Sequence, residues 1–103
     1  DFEPIEPVGY YDIVELLKNC SLVITDSGGM QKEAYFFNRY CLTLRNETEW
    51  TELTRNGYNL LVGCDRVLIN KGVDRFAGHT IVDPVPLYGN GNASELIVDK
   101  LLI

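Results

Sequence analysis

Thr25, Asp26, Ser27, Gly28 and Gly29 stand where an apolar run, Leu22-Val23-Ile24, gives way to a helical pattern. A serine and two glycines at such a junction suit one kind of chemistry, the holding of an anion by backbone. Glycines permit positive φ and close approach, and the first free N–H groups of a helix, with its dipole, favour negative charge. Phosphate is the natural guest. The Ser27 hydroxyl can add a donor, and Glu33, one turn into the helix, can accept hydrogen bonds from a ribose diol. A plainer reading competes: the turn simply joins strand to helix, with Asp26 or Ser27 as the cap.

Other chemistry finds less support. The stretch is not G-x-x-x-x-G-K-[ST], G-x-G-x-x-G or G-x-S-x-G. His79, the only histidine, falls in a loop-like region without a partner in sequence, so a serine nucleophile would lack a base. Glu47, Glu49 and Glu52 read as the solvated start of a helix, where the dipole favours carboxylates. Trp50 is either core or the wall of a cleft. Arg45 lies at the same sheet edge as Ser27 and faces either a phosphate or solvent.

The elements that must position these residues alternate. Ile13, Leu16, Leu17 and Cys20 recur at helical spacing from Tyr11, and Asp12 suits the helix start. The run Leu22-Val23-Ile24 then has the pattern of a strand covered on both faces. Met30, Ala34 and Phe37 define a second helix that Asn38-Arg39 closes, and Tyr40 to Leu44 a second strand. Thr48 can cap a third helix from Glu49 to Arg55, Asn56-Gly57 ends it, and Leu60-Leu61-Val62 is a third buried strand. A further helix spans Asp65 to about Phe76, weakened by Gly72. The segment from Ala77 to Asn92 reads as loop and turn. Asn92 and Glu95 resemble a capping box for a closing helix with Leu96, Ile97 and Leu101 on its apolar face. The alternation predicts an α/β fold, a parallel sheet flanked by helices with right-handed crossovers.

Composition bounds the rest. With 103 residues and 46% apolar content the chain is at most one small globular domain. A net charge of -6 leaves no basic stripe for a nucleic acid. The apolar runs fall short of the ~18 residues of a membrane span, and no leader with a basic start is visible, so a cytoplasmic, membrane-free protein is expected. Cys20, Cys41 and Cys64 form no C-x-x-C pair and read as buried free thiols.

The run Thr25-Asp26-Ser27-Gly28-Gly29-Met30-Gln31-Lys32-Glu33-Ala34 resembles the TDSGG-[IM]-Q-x-E-A signature of the non-hydrolysing UDP-N-acetylglucosamine 2-epimerases. Further landmarks follow in order. Pro7 to Ile13 resembles the family's EP-x-x-Y-x-x-F/I segment, and Leu44 to Glu49 its R-x-x-TE segment. Gly57-Tyr58-Asn59 with Leu61-Val62-Gly63 resembles G-x-N-x-LVG, and Tyr88 to Ser94 resembles YG-[DN]-G-x-AS.

The resemblance implies a Rossmann-like domain of a two-domain fold of the GT-B type. Residues 1–103 would form the C-terminal part of the UDP-binding domain, with the N-terminal domain supplied elsewhere and the full protein a homodimer. It implies UDP in the interdomain cleft, with Ser27, Gly28 and Gly29 on the diphosphate and Glu33 on the ribose. Uracil would lie near Val8 to Ile13, with Ile13 contributing mainly through its backbone. The implied reaction converts UDP-N-acetylglucosamine to its manno epimer by loss and return of UDP and the C2 proton. It needs neither metal nor redox cofactor, and no catalytic residue falls in this chain. Where typical members read TERPE, this sequence has Thr48-Glu49-Trp50-Thr51-Glu52, a form similar to relatives acting on modified UDP sugars such as diacetamido uronic acids. A GT-B glycosyltransferase is the competing class, and a non-enzymatic nucleotide-binding or assembly module a third. Sheet edges left open would promote self-association.

Overall fold

A computed structural model of the protein describes residues 2–102; Asp1 and Ile103, the ends of the expected span, lie outside it. Three short strands, β1 (Val23–Thr25), β2 (Cys41–Thr43) and β3 (Asn59–Leu61), form a parallel sheet in that order. The register pairs Val23 with Cys41 and Cys41 with Asn59. Five helices accompany them: α1 (Tyr10–Asn19), α2 (Gly28–Phe36), α3 (Thr51–Arg55), α4 (Arg66–Phe76) and α5 (Ala93–Leu101). The expected parallel α/β sheet flanked by helices is therefore the observed architecture.

Alternation along the strands divides the core in two. On one face Val23 and Cys41 pack with Leu17 of α1 and Ala34 of α2, and Ile13, Met30 and Phe37 close around them. On the other, Leu42 packs with Val62 and Phe76, and Ile69 and Val73 of α4 cover it. Gly72 is the reason α4 sits so near. A Cβ there would lie 2.6 Å from Cδ2 of Leu42, so the glycine read as a weakness in the helix is a packing requirement.

Helix ends follow their sequence signals. Asp65 caps α4 by accepting from the N–H groups of Val67 and Leu68. Asn38, at φ 59°, turns the chain out of α2 while the Arg39 N–H donates to the Ala34 carbonyl at 2.8 Å. Gly57, at φ 74°, does the same after α3. Arg39 then reaches back to α1, its Nε donating to the Leu17 carbonyl at 2.9 Å and its Nη2 to that of Lys18. The start of β2 is tied in this way to the end of the first helix.

Four expectations require correction. The first strand is not covered on both faces: Ile24 is 46% exposed, because β1 is the sheet's edge and α4 reaches Leu22 but not Ile24. Thr48 does not cap α3, which begins at Thr51 behind Trp50; its hydroxyl instead closes a turn by accepting from the Trp50 N–H at 3.1 Å. Asn92 makes no side-chain cap on α5, and Leu96, Ile97 and Leu101 of that helix are exposed. Cys41 is buried as expected and Cys20 half-buried, but Cys64 is exposed, on the turn that follows β3.

The segment after α4 is irregular but anchored. Ile81 is buried, and its N–H donates to the Asn38 carbonyl at 2.9 Å. The Tyr35 hydroxyl accepts from the Leu87 N–H at 3.1 Å and donates to the Val85 carbonyl. The Val85 N–H in turn donates to the Tyr58 hydroxyl at 3.0 Å.

Candidate functional site

The carboxyl end of β1 leads through Asp26 and Ser27 into the first turn of α2. Ser27 is in extended backbone at φ -84° and ψ 129°, and its Oγ accepts from the Met30 N–H at 3.3 Å. Ser27 is thus the N-cap, and the plainer reading of the turn is correct as local structure. It does not exhaust the residue. A hydroxyl that accepts one bond keeps its proton to donate. Asp26 makes no cap; the Ser27 N–H is taken by Thr25 Oγ1 at 3.0 Å, fixing the approach to the helix.

The donors of Gly28 and Gly29 are different. Among the described residues neither N–H has an acceptor within the protein. Gly28 is half-buried and Gly29 exposed, so the pair forms a reachable concentration of positive partial charge. Glu33 lies one turn further, half-exposed, on the same helix.

What surrounds this helix start is a loop that the sequence did not place. After β2, residues 44 to 50 fold over α2. Trp50 Nε1 donates to the Gly28 carbonyl at 2.9 Å. Arg45 and Glu49 form an ion pair at 3.1 Å, Nη1 to Oε2, with both side chains substantially exposed. The second carboxylate oxygen of Glu49 occupies the space that a Cβ on Gly28 would fill. Glu49 therefore lies ahead of α3, which begins at Thr51, and its exposed side chain covers the first residue of α2. Lys32 lays its ammonium 4.6 Å from the Trp50 ring and 4.4 Å from that of Tyr88, which holds the far side of the loop against α2.

Beneath the loop is a buried polar chain. Gln31 is 1% exposed, and its Oε1 accepts from Thr48 Oγ1 at 2.7 Å and from Asn59 Nδ2 at 2.8 Å. The Asn59 Oδ1 accepts from the Thr43 hydroxyl. One glutamine on α2 thereby binds the first residue of β3 and the loop between β2 and α3, and through Asn59 the end of β2. Among the described residues its Nε2 has no partner, the one unpaired end of an otherwise satisfied network. Burial pushes the Cys41 thiol up to about 11, partly offset by Thr43.

Ile13 lies close by. Its side chain shares an apolar groove with Thr25 and Met30, on the α1 side of the α2 start. Its N–H is already committed to the Gly9 carbonyl at 3.1 Å and its carbonyl lies within the α1 ladder, which leaves the side chain as its free surface. His79 is exposed, between Gly78 and Thr80, which bond to the residues leading into β1 and β2, and its backbone N–H is on the Phe76 carbonyl. Among the described residues no group of three His, Cys, Asp or Glu side chains is placed to hold a metal, and no helix is long and apolar enough to cross a membrane. Gln31, Thr48 and Asn59 escaped the sequence reading as site-builders; a glutamine and an asparagine at otherwise apolar, core-facing positions were the available signal.

A parallel sheet whose strand end meets a capped helix with two free glycine donors defines a class, the Rossmann-like α/β domains that receive ligands beyond their strand ends. The chain belongs to the UDP-N-acetylglucosamine 2-epimerase family, whose sequence model matches residues 1–102. It is 46% identical over 101 residues to a UDP-2,3-diacetamido-2,3-dideoxy-D-glucuronate 2-epimerase of Pseudomonas aeruginosa, covering 98% of this chain and 28% of that protein. It is 42% identical over 94 residues to a UDP-N-acetylglucosamine 2-epimerase of Methanocaldococcus jannaschii, covering 91% and 25%. The crystal structure of the latter organism's enzyme in complex with UDP-GlcNAc and UDP superposes with a TM-score of 0.83 at 41% identity, over 95% of this chain and 27% of that one. The Neisseria meningitidis enzyme bound to UDP-GlcNAc gives 0.69 at 33% identity, over 95% and 28%. The chain thus spans about a quarter of the length of the relatives it matches.

Proposed function

We propose that this chain is the C-terminal, UDP-binding portion of a UDP-sugar 2-epimerase of its relatives' length. The observation that carries this is the pair of unengaged N–H groups of Gly28 and Gly29 at the end of a parallel sheet. Those donors, with the Ser27 hydroxyl, receive the diphosphate; Glu33 accepts from the ribose; Ile13 borders the uracil. The family of the chain and the UDP complex of a similar protein support this reading.

The contribution to reaction is electrostatic. As the bond from the sugar to UDP breaks, negative charge gathers on the diphosphate, and fixed N–H groups stabilise it without reorganising. Proton removal and return at C2 fall to residues outside this chain. The N-terminal domain that closes the cleft and a homodimeric, cytoplasmic assembly belong to the same proposal.

The sugar is the second question. The 46% identity to an epimerase of a diacetamido glucuronate, with Trp50 in place of the family's usual arginine, favours a modified UDP sugar over UDP-N-acetylglucosamine itself. The intact protein, incubated in D2O with each sugar nucleotide, tests both points through the C2 proton signal. Exchange with epimer formation for the diacetamido uronate, and slower exchange for UDP-N-acetylglucosamine, is the expected result. Retention of the C2 proton in both, in a protein that binds UDP, would redirect the assignment to glycosyl transfer.

A further inference from the structure

Glu49 stands beside the helix start that an incoming anion would approach. Its Oε1 lies against the Cα of Gly28, in space that only a glycine leaves open, and its Oε2 holds Arg45 at 3.1 Å. A carboxylate at a helix N-terminus is stabilised by the dipole, whereas a diphosphate arriving there meets its repulsion. The pair is exposed, its side chains at 36% and 48%, so it opens at little cost. Trp50, adjacent to Glu49, is by contrast fixed to the Gly28 carbonyl, which keeps the loop in place while the Glu49 side chain turns.

We propose that Glu49 is a built-in competitor of the diphosphate: it covers Gly28 and engages Arg45, and a binding diphosphate displaces it and releases Arg45 to the phosphate. The proposal rests on the UDP-binding reading above and adds two residues to it with opposite signs. Glu49 opposes binding and Arg45 supports it. The device makes an open site unattractive to small anions, since only a ligand with enough charge and further contacts displaces the carboxylate.

The test titrates UDP and inorganic pyrophosphate into the intact protein, its Glu49→Gln and Arg45→Gln variants, and the double variant, by calorimetry at low salt. Glutamine preserves size while removing the charge. The expected result is tighter binding by Glu49→Gln, about three- to tenfold for both ligands, and weaker binding by Arg45→Gln. Matching thermal unfolding of the four proteins serves as the control for folding. If Glu49 instead braces Arg45 in a productive pose, both variants weaken binding, and the proposal is overturned. Equal affinities of wild type and Glu49→Gln overturn it as well while leaving the UDP reading intact. Tighter pyrophosphate binding by Glu49→Gln with no preference for UDP would keep the device and sink the uridine reading. Absence of diphosphate binding in all four proteins would overturn both.

Discussion

The indole nitrogen of Trp50 donates to the carbonyl oxygen of Gly28 at 2.9 Å, joining the loop after β2 to the first residue of α2. The bond spends a carbonyl of the helix start and leaves its N–H groups free. Trp50→Phe keeps an aromatic ring against Lys32 and Tyr88 but removes the donor. A loss of about 0.5–1.5 kcal/mol in denaturant-derived stability is expected, with UDP affinity falling as the loop loosens. Unchanged affinity would separate the loop from the site.

Gln31 and Asn59 make a sharper case, because both are buried. Asn59→Ala removes a donor from Gln31 and the acceptor of the Thr43 hydroxyl, leaving buried groups unpaired. The expected cost is about 2–3 kcal/mol, read from urea unfolding. Thr51→Ala, on the exposed face of α3, should stay within about 0.5 kcal/mol and serves as the comparison.

Gly72→Ala tests the approach of α4 to the sheet. Alanine gains about 1 kcal/mol in helix propensity but sets a methyl 2.6 Å from Cδ2 of Leu42, so that this fully buried side chain must shift. A net loss of about 1–2 kcal/mol and a lower Tm are expected. A rise in Tm would mean that propensity wins and that Leu42 repacks freely.

The cysteines divide by burial. Cys64, exposed, should react with a thiol reagent in the native protein, whereas Cys41 reacts only on unfolding. Cys41 also sets an alkaline limit. Its folded thiol titrates near 11 against 9.0 unfolded, so the unfolded chain loses its proton first. The contribution is fully present below pH 9 and is lost as pH rises toward 11, about 2–3 kcal/mol in all. Cys41→Ala should flatten that part of the stability profile.

The alternation of apolar runs and helical spacing was enough to read three parallel strands and the order of the elements around them, because each segment's period reports its own burial. Ser27, Gly28 and Gly29 were legible for the same reason: a cap and two glycines at a strand end announce a helix start. Edge effects were not legible. Ile24 has the composition of a buried strand residue, and only the sheet order exposes it. Glu49 and Thr48 were misplaced because their roles depend on contacts across sequence, with Gly28 and Gln31, that no local pattern encodes. Gly72 looked like a defect until its neighbour on the sheet was known.

The central claim is that α2's start holds a diphosphate. Titration of the intact, 15N-labelled protein with UDP, following the amide signals of Gly28 and Gly29, tests it most directly. Saturable shifts of both glycines, weakened in Ser27→Ala and absent with uridine alone, are the predicted result. Glycine signals that stay fixed at millimolar UDP, while other amides move, would place the nucleotide elsewhere and contradict the account.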